Sequence, residues 1–153
     1  MHALELKIPP GVVLLMIAAL MWLVSRTEPA FGFMLPARYA VASSLAAVGS
    51  VIIALGVVSF RRARTTVNPL KPGSASSLVV SGIYRRTRNP MYLGFLLGLT
   101  GWASFLSNAL AFILLPGFVF YLNRFQIRPE EKALASVFGA EFAAYQSTVH
   151  RWL

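Results

Sequence analysis

Four long apolar stretches, each flanked by polar or basic residues, dominate the pattern of the sequence. They cover about residues 8–25, 38–60, 90–106 and 107–127. A membrane-spanning helix needs about 20 apolar residues, within a range of about 17–25, and each stretch falls within that range. The pattern therefore predicts an all-α integral membrane protein with four transmembrane helices.

The third and fourth stretches are predicted to form a tight helical hairpin. Only the sequence Leu-Ser-Asn at 106–108 joins them, and no charged residue lies within 89–123. Ser107 and Asn108 suit the turn and the cap of the following helix. Pro116 is expected to kink the fourth helix, because a proline removes one helical hydrogen bond.

After the fourth stretch, the pattern predicts an amphipathic helical tail. Pro129, Glu130 and Glu131 are typical of a helix start, where a proline is tolerated and carboxylates complement the helix dipole. Apolar side chains then recur at helical spacing as far as Trp152, and Gly139 is expected to divide the tail into two short helices. Such a tail packs on the membrane domain or lies in the interface.

The segment that joins the second and third stretches, residues 61–89, is predicted to lie against one membrane face. Asn68-Pro69 and Pro72-Gly73 are turn signals within it. The short apolar run 78–80, flanked by serine and glycine, suits an extended, strand-like piece.

The composition agrees with one membrane domain over residues 1–153, in which 1–60 holds the first two helices. The chain is 57% hydrophobic and only 12% charged, whereas typical soluble domains are about 25% charged. It has no cysteine, which excludes disulfides, thiolate zinc sites and thiol catalysis, and no metal site is predicted. Small residues in the second stretch, such as Gly49 and Gly56, permit close helix packing within or between chains.

The basic residues predict the orientation in the membrane. A net charge of +9 would suggest nucleic acid in a soluble protein, but here topology and anionic lipid account for it. Most arginines and lysines lie in 61–89 and 124–151, and only Arg26 and Arg38 lie on the other side. Both termini and the 61–89 segment are therefore expected in the cytoplasm. No A-x-A site follows the first stretch, so we expect it to be retained rather than cleaved.

A dense polar cluster, GIYRRTRNPMY at 82–92, precedes and begins the third helix. Arg85 and Arg86 suit anchoring at the cytoplasmic headgroups. Arg88 directly precedes Asn89-Pro90, so it should lie near the unpaired N–H groups of a helix start, which favour an anionic or polar ligand. A ligand site and a plain membrane anchor are both open for Arg88.

Three further residues of this cluster have a structural alternative. Asn89 could simply cap the third helix. Tyr84 and Tyr92 could simply be interfacial tyrosines.

A second polar cluster lies where the fourth helix ends. Asn123 and Arg124 could be anchoring groups or pocket groups, and Glu130 and Glu131 could hold a cationic ligand. The hairpin brings both clusters to the same membrane face, and the tail folds back over them. The sequence thus predicts a half-covered cytoplasmic cavity with lipid on one side.

The blocks LVVSGIYRRTRNPMYLG and RPEEKALASVFGAEFAAYQSTVHRWL resemble the isoprenylcysteine carboxyl methyltransferase superfamily, which is related to membrane phospholipid methyltransferases. The resemblance covers roughly the second half of the chain, and the first two stretches carry no recognisable signature. The family pattern is G-x-Y, R-[HN]-P-x-Y-x-G, a Glu pair, and F-G-x-x-[FY]-x-x-Y before a basic residue. The matching residues are Gly82, Tyr84, Arg88, Asn89, Pro90, Tyr92, Gly94, Glu130, Glu131, Phe138, Gly139, Phe142, Tyr145 and Arg151.

This resemblance implies an S-adenosyl-L-methionine-dependent membrane methyltransferase, with residues 61–153 as its cofactor-binding half and a lipophilic methyl acceptor. Where the family often has histidine this chain has Asn89, which cannot titrate near neutrality. Arg124 and Arg128 are the candidates for holding the acceptor. The candidate cofactor residues are Ser77, Leu78, Val79, Tyr84, Arg88, Asn89, Pro90, Met91, Tyr92, Glu130, Glu131 and Tyr145.

The chemistry of the cofactor suits these residue types. Tyrosine faces and a carboxylate suit its sulfonium and amino groups, while an arginine and backbone N–H groups suit its carboxylate. Leu78, Val79 and Met91 suit the adenine. Methyl transfer mainly requires positioning, and a carboxylate acceptor is already ionised, so no residue is assigned an acid–base role.

Two other functions stay open. A membrane sterol reductase would share the compact helical architecture, and the arginines at 61–64 and 85–88 would then hold the phosphates of NADPH. A lipid-binding or assembly protein would bind neither cofactor. Cofactor binding in detergent distinguishes the three.

Overall fold

The structure, a computed structural model, describes residues 5–65, 73 and 76–153. The five α-helices are α1, Pro10–Thr27; α2, Arg38–Arg62; α3, Pro90–Leu106; α4, Ala109–Tyr121; and α5, Arg128–Thr148. Short 3₁₀ turns lie at Pro29–Phe31 and Gly82–Arg85, and a π-helical turn, Leu122–Ile127, joins α4 to α5. The all-helical prediction is therefore confirmed for the described part of the chain.

The predicted strand-like piece at 78–80 forms no β-strand, since these residues have no regular secondary structure, and its extended conformation stays a prediction. The run is too short to form a sheet, and no described segment offers it a partner strand. The predicted turns at Asn68-Pro69 and Pro72-Gly73 lie outside the described residues, apart from Gly73 itself.

Among the described residues, three helices are long and apolar enough to cross a membrane: α1, α2 and the continuous helix Ala109–Thr148. The part of this last helix before the break at Gly139, residues 109–138, would extend about 45 Å, longer than the roughly 30 Å of the hydrocarbon layer. Its charged residues begin only at Arg124, so the uncharged part is the part suited to crossing the membrane, and the placement of α5 beyond it stays a prediction. Because α3 has only 17 residues, the count of four spans stays a prediction.

Helices α2 and α3 pack antiparallel, with their backbones in close approach. A Cβ atom added at Gly94 would lie 2.6 Å from the Gly49 carbonyl oxygen, and one added at Gly101 would lie 2.9 Å from that of Ala42. Small residues allow this approach between membrane helices, where van der Waals packing is a main source of association. The predicted use of Gly49 in close helix packing is thus confirmed within the chain.

A hydrophobic core joins α1, α3 and α4. Met21, Leu99, Phe118 and Leu122 are almost completely buried in it. The Trp102 indole N–H, on α3, donates a hydrogen bond of 3.0 Å to the carbonyl of Ala18 in α1. This bond satisfies the buried donor of a large side chain and fixes α1 against α3.

The α3–α4 turn confirms the predicted hairpin. Ser107 adopts a left-handed conformation with φ 50°, and the Asn108 side chain caps α4 by accepting a bond from the Leu110 N–H. The loop between α1 and α2 is fastened to the same turn. The Asn108 amide donates to the Glu28 carbonyl at 3.0 Å, and the Phe33 N–H donates to the Ser107 carbonyl at 2.9 Å.

The sequence predicts that a new helix begins at Pro129, and this prediction is wrong. Ile127 and Arg128 already have helical dihedral angles, so α4, the π turn and α5 are continuous. Pro129 cannot donate to Phe125, four residues earlier. The Phe125 carbonyl instead accepts a bond of 3.1 Å from the Leu6 N–H. The N-terminal segment thus supplies the missing donor.

Two further predictions, a break at Gly139 and a kink at Pro116, concern this long helix. Gly139 interrupts the helical dihedral angles with φ 48° and ψ −119°, which confirms the predicted break in the tail. Pro116 lies inside α4 without ending it, and the kink stays a prediction.

We expect Gly94→Ala to destabilise the protein by about 1–3 kcal/mol, because the new methyl group overpacks the α2–α3 contact. It would lie 2.5 Å from Ile53 Cγ1. Gly98→Ala is the matched control, since nothing lies within 4 Å of a Cβ at that position of the same helix. Thermal unfolding in detergent measures both. Equal stability of the two variants would contradict the close packing.

The predicted orientation can be tested with single cysteines, because the chain has none. Met34, which is 94% exposed, lies in the loop between α1 and α2, and exposed Ser76 lies on the opposite face. We expect a membrane-impermeant thiol reagent added to intact cells to label Met34→Cys and not Ser76→Cys. The reverse labelling pattern would overturn the cytoplasmic placement of the termini.

Candidate functional site

The two polar clusters meet on Glu130, at the start of α5. The Tyr92 hydroxyl, from the first turn of α3, donates a hydrogen bond of 2.5 Å to Glu130 Oε1. The Gln126 amide, from the π turn, donates one of 2.6 Å to the same oxygen. Tyr92 is only 6% exposed and Gln126 only 2%, so the carboxyl group is held by two buried donors.

Sequence analysis missed Gln126. A signal was available, since Gln126 lies four residues before Glu130 and therefore on the same helical face. The alternative that Glu130 and Glu131 only complement the dipole of a helix start is wrong, because both carboxyl groups accept hydrogen bonds from side chains of other segments.

The environment of Glu130 changes its acidity. Burial raises the pKa of the Glu130 carboxyl to about 7, against the lowering effect of the bonds from Tyr92 and Gln126. The neighbouring Glu131 carboxylate adds a smaller upward effect. A carboxyl group in this state ionises readily when a cation lies beside it, because an opposite charge favours the charged form.

Tyr84 forms a second wall beside this carboxyl group. It is 6% exposed, its ring lies edge-on to Phe60 of α2 at 5.4 Å, and its carbonyl accepts a bond of 2.7 Å from the Tyr145 hydroxyl. Burial, with smaller contributions from Tyr145 and Glu130, raises the Tyr84 pKa well above its usual value. Tyr84 is therefore a neutral, buried group, and the alternative of an interfacial tyrosine is wrong for it and for Tyr92.

The 3₁₀ turn that carries Tyr84 requires a glycine at its start. Gly82 has φ 62°, and a Cβ there would lie 2.7 Å from the Ser59 hydroxyl. Both the left-handed conformation and the close approach exclude a side chain.

Arg88 directs most of its hydrogen-bond donors to the tail. Its Nη1 donates to the carbonyls of Gln146, at 3.0 Å, and Val149, at 2.6 Å, and its Nη2 donates to Glu131 Oε1 at 2.9 Å. Its backbone N–H donates to the His150 carbonyl. Within the described residues its buried Nε has no acceptor. The guanidinium therefore docks the tail and keeps one donor for another group.

Glu131 completes this docking by pairing with two arginines. Arg151 donates to both carboxylate oxygens, from Nη2 to Oε2 at 2.5 Å and from Nε to Oε1 at 3.1 Å, the oxygen that Arg88 also contacts. The Asn89 amide donates to the Arg151 carbonyl at 2.9 Å and makes no capping bond to α3. The alternative that the Asn89 side chain caps the helix is thus wrong, because its oxygen accepts no bond from the first N–H groups of α3.

The segment 76–79 lies against the end of α2. The Ser77 hydroxyl donates to the Ala63 carbonyl at 3.1 Å. Val79 is buried and Leu78 partly so. The Met91 and Pro90 side chains pack beside Gly56 of α2, as does the Tyr84 hydroxyl. These residues give one side of the site an apolar surface.

The two arginines expected to hold an acceptor lie in different surroundings. Arg124 pairs with Glu5 at 3.1 Å and lies over the Phe125 ring, whereas Arg128 is exposed. Asn123 accepts a bond of 3.1 Å from the Trp152 indole N–H, so it fixes the end of the tail.

An open, largely apolar groove of about 580 Å³ runs between α3 and α4. The end of the groove nearest the site is lined by Asn123, three residues before Gln126, and by Leu96, one helical turn beyond Tyr92. Such a groove suits a hydrocarbon chain. The residues that line it are Leu96, Thr100, Leu115, Pro116, Val119, Phe120 and Asn123.

The sequence profile of the phospholipid methyltransferase family matches residues 37–141. The chain belongs to this family. The resemblance drawn from the two sequence blocks is thereby confirmed, and the match extends to α2, where sequence analysis found no signature.

Relatives in the family support the same relationship. The chain is 35% identical over 109 residues to a probable protein-S-isoprenylcysteine O-methyltransferase from Oryza sativa, covering 69% of this chain and 56% of the rice protein. It is 38% identical over 82 residues to the protein-S-isoprenylcysteine O-methyltransferase of Saccharomyces cerevisiae, covering 52% and 33% respectively. The chain thus spans about half the length of the rice relative and a third of the yeast one.

An uncharacterized protein of Haemophilus influenzae is 44% identical over 63 residues, which is 41% of this chain and all of that protein. No solved structure gives a significant match to the chain.

We expect Glu131→Gln to destabilise the protein by about 1–3 kcal/mol, because it leaves two partly buried arginines without their shared carboxylate. Thermal unfolding in detergent, and trypsin cleavage after Lys132, report the loss of tail docking. Glu141→Gln is the matched control, since Glu141 is exposed on the same helix. Similar melting of the two variants would contradict the docking role.

Proposed function

We propose that the protein is an S-adenosyl-L-methionine-dependent membrane methyltransferase that acts on a lipophilic acceptor. The observation that carries this proposal is the Glu130 carboxyl group, held by Tyr92 and Gln126 at the membrane face of a chain that belongs to the phospholipid methyltransferase family. A carboxylate beside buried tyrosines is the group that a sulfonium or an ammonium needs.

The residues around Glu130 fit the parts of this cofactor. The free Nε donor of Arg88, buried and directed at no described acceptor, suits the carboxylate of the cofactor. Tyr84 and Tyr92 offer ring faces to its cationic sulfur, and Tyr145 fixes the turn that carries Tyr84. Glu131 acts through Arg88, which it holds in place.

The apolar side of the site suits the adenine. Leu78, Val79, Pro90 and Met91 would pack on its faces, and Ser77 would fix this segment through its bond to α2. Asn89 has its amide committed to the tail, so it would define the edge of the site rather than titrate in it.

When bound, the cofactor supplies an electrophilic methyl group on a positively charged sulfur. What the protein must contribute is position, because a correctly oriented pair of reactants can gain about 7–11 kcal/mol. Buried Tyr84 and Tyr92 exclude water from one side, and the docked tail covers another. A carboxylate acceptor on a lipophilic chain is ionised at neutral pH, so none of these residues has to remove a proton.

The acceptor would enter from the lipid. Its hydrocarbon chain suits the groove between α3 and α4, and an anionic headgroup would meet the exposed guanidinium of Arg128 at the membrane face. Arg124 remains a weaker candidate for that contact, because Glu5 already pairs with it. Neither the reductase nor the lipid-carrier alternative gains support from the family relationship.

We expect the purified protein to bind S-adenosyl-L-methionine and not NADPH, with Glu130→Gln weakening the affinity by about 1.5–3 kcal/mol, the contribution of a hydrogen bond to a charged group. Isothermal titration calorimetry on detergent-purified protein measures this. Arg86→Gln is the control, since Arg86 is exposed on the same face. Binding of NADPH alone would overturn the proposed function, and equal affinity of wild type and Glu130→Gln would remove Glu130 from the site.

The same affinity should depend on pH. Because the pKa of Glu130 lies at about 7, its carboxylate predominates above that pH and is lost below it, so cation binding should weaken as the pH falls from 8 to 6. At one pH unit below the pKa the loss should be about tenfold. The other titratable groups that face Glu130 are Tyr92, Tyr84 and Glu131. A pH profile that is unchanged in Glu130→Gln would assign the titration to another of these groups.

A further inference from the structure

The π-helical turn is the one irregularity between α4 and α5, and it lies directly before Glu130. Within it the Arg128 N–H bonds to the Asn123 carbonyl, five residues earlier, instead of to a carbonyl four residues earlier. Such turns insert one residue into a helix and often lie at functional sites. Pro129 cannot donate to Phe125, and the wider turn accommodates that missing bond without ending the helix.

The turn changes which side chains face α3. Leu122 and Ile127 are fully buried apolar residues at its two ends, whereas Gln126, between them, is a buried polar residue at 2% exposure. A buried amide costs free energy unless it is hydrogen-bonded. Its bond of 2.6 Å goes to Glu130 Oε1, so its burial is connected with that carboxyl group.

The two donors on Glu130 act on one oxygen. Tyr92 from α3 and Gln126 from the π turn both reach Oε1, and Gln126 also interacts with the Tyr92 hydroxyl. This arrangement fixes the rotation of the carboxyl group. It makes Oε2 the oxygen that we expect a cation to meet.

We infer that Gln126 is a positioning residue of the cofactor site: the π turn places its amide on Glu130 Oε1, so that the carboxylate is aimed at a cationic ligand. The inference rests on the proposed function, since the cation is that of S-adenosyl-L-methionine. Gln126 acts through Glu130 and is not itself in contact with the cofactor.

The first measurement needs no cofactor. Infrared difference spectroscopy of the ligand-free protein follows the carboxyl C=O band of Glu130, which is identified by its loss in Glu130→Gln. We expect Gln126→Leu to titrate at higher pH than wild type, because the amide bond favours the ionised carboxylate. Gln146→Leu should titrate as wild type. It is the matched control, since the bond of Gln146 to Arg88 uses the backbone carbonyl, which leucine retains.

The second measurement is the affinity for S-adenosyl-L-methionine by calorimetry. We expect Gln126→Leu to bind about tenfold more weakly than wild type and Gln146→Leu to bind as wild type. In the Glu130→Gln background, Gln126→Leu should add no further loss, because a residue that acts only through another has no effect in its absence. Gln126→Met, unbranched and of similar length, replaces the leucine variant if the latter fails to give a monodisperse protein.

Two results would overturn the inference: an unchanged Glu130 titration in both Gln126 variants, or a full tenfold loss from Gln126→Leu that persists in Glu130→Gln. The second result would mean that Gln126 supports the fold independently. If wild type binds no S-adenosyl-L-methionine, the proposed function fails and the positioning role for this cofactor fails with it. The titration then still decides separately whether Gln126 sets the state of Glu130.

Discussion

The Arg88 guanidinium is the contact on which the candidate site depends. It stands at the start of α3 and reaches both ends of α5, through Glu131 at one end and the carbonyls of Gln146 and Val149 at the other. The last carbonyls of a helix have no intrahelical donors, and a positive charge near them is favourable. One side chain therefore contacts both ends of the tail helix and contributes more of the described tail contacts than any other group that faces it.

The elements of this fold follow from the sequence to a large extent. The lengths of the apolar stretches, the Ser107-Asn108 turn and the break at Gly139 are local properties, decided by burial length and backbone conformation, and each was predicted. The meeting of the two polar clusters was also predictable, because a tight hairpin brings the start of α3 and the end of α4 to one face.

The missed features depend on partners that are distant in the chain. Pro129 normally marks a helix start, but here the helix continues through it because Leu6 bonds to the carbonyl that Pro129 leaves free. Asn89 is a residue type that often caps helices, yet its oxygen makes no capping bond and its amide donates to the carbonyl of Arg151. Every residue has a backbone carbonyl, so the sequence does not show which of them will accept a side-chain hydrogen bond. The roles within the cofactor site, carried over from family resemblance, stay predictions.

The contacts at the membrane face opposite the candidate site have a mechanical consequence. There the loop between α1 and α2 is bonded to the Ser107-Asn108 turn, and deeper in the bilayer α2 and α3 meet backbone to backbone at Gly49 and Gly94. Backbone contacts cannot relax through a change of side-chain rotamer. The tail, by contrast, is held at the opposite face mostly by side chains. The helix bundle is thus a stiff base, and the tail is the part that can be displaced without deforming it. Displacing the tail would break hydrogen bonds made mainly by side chains, among them those of Arg88, Glu131 and Tyr145, while the contacts between α2 and α3 would stay in place.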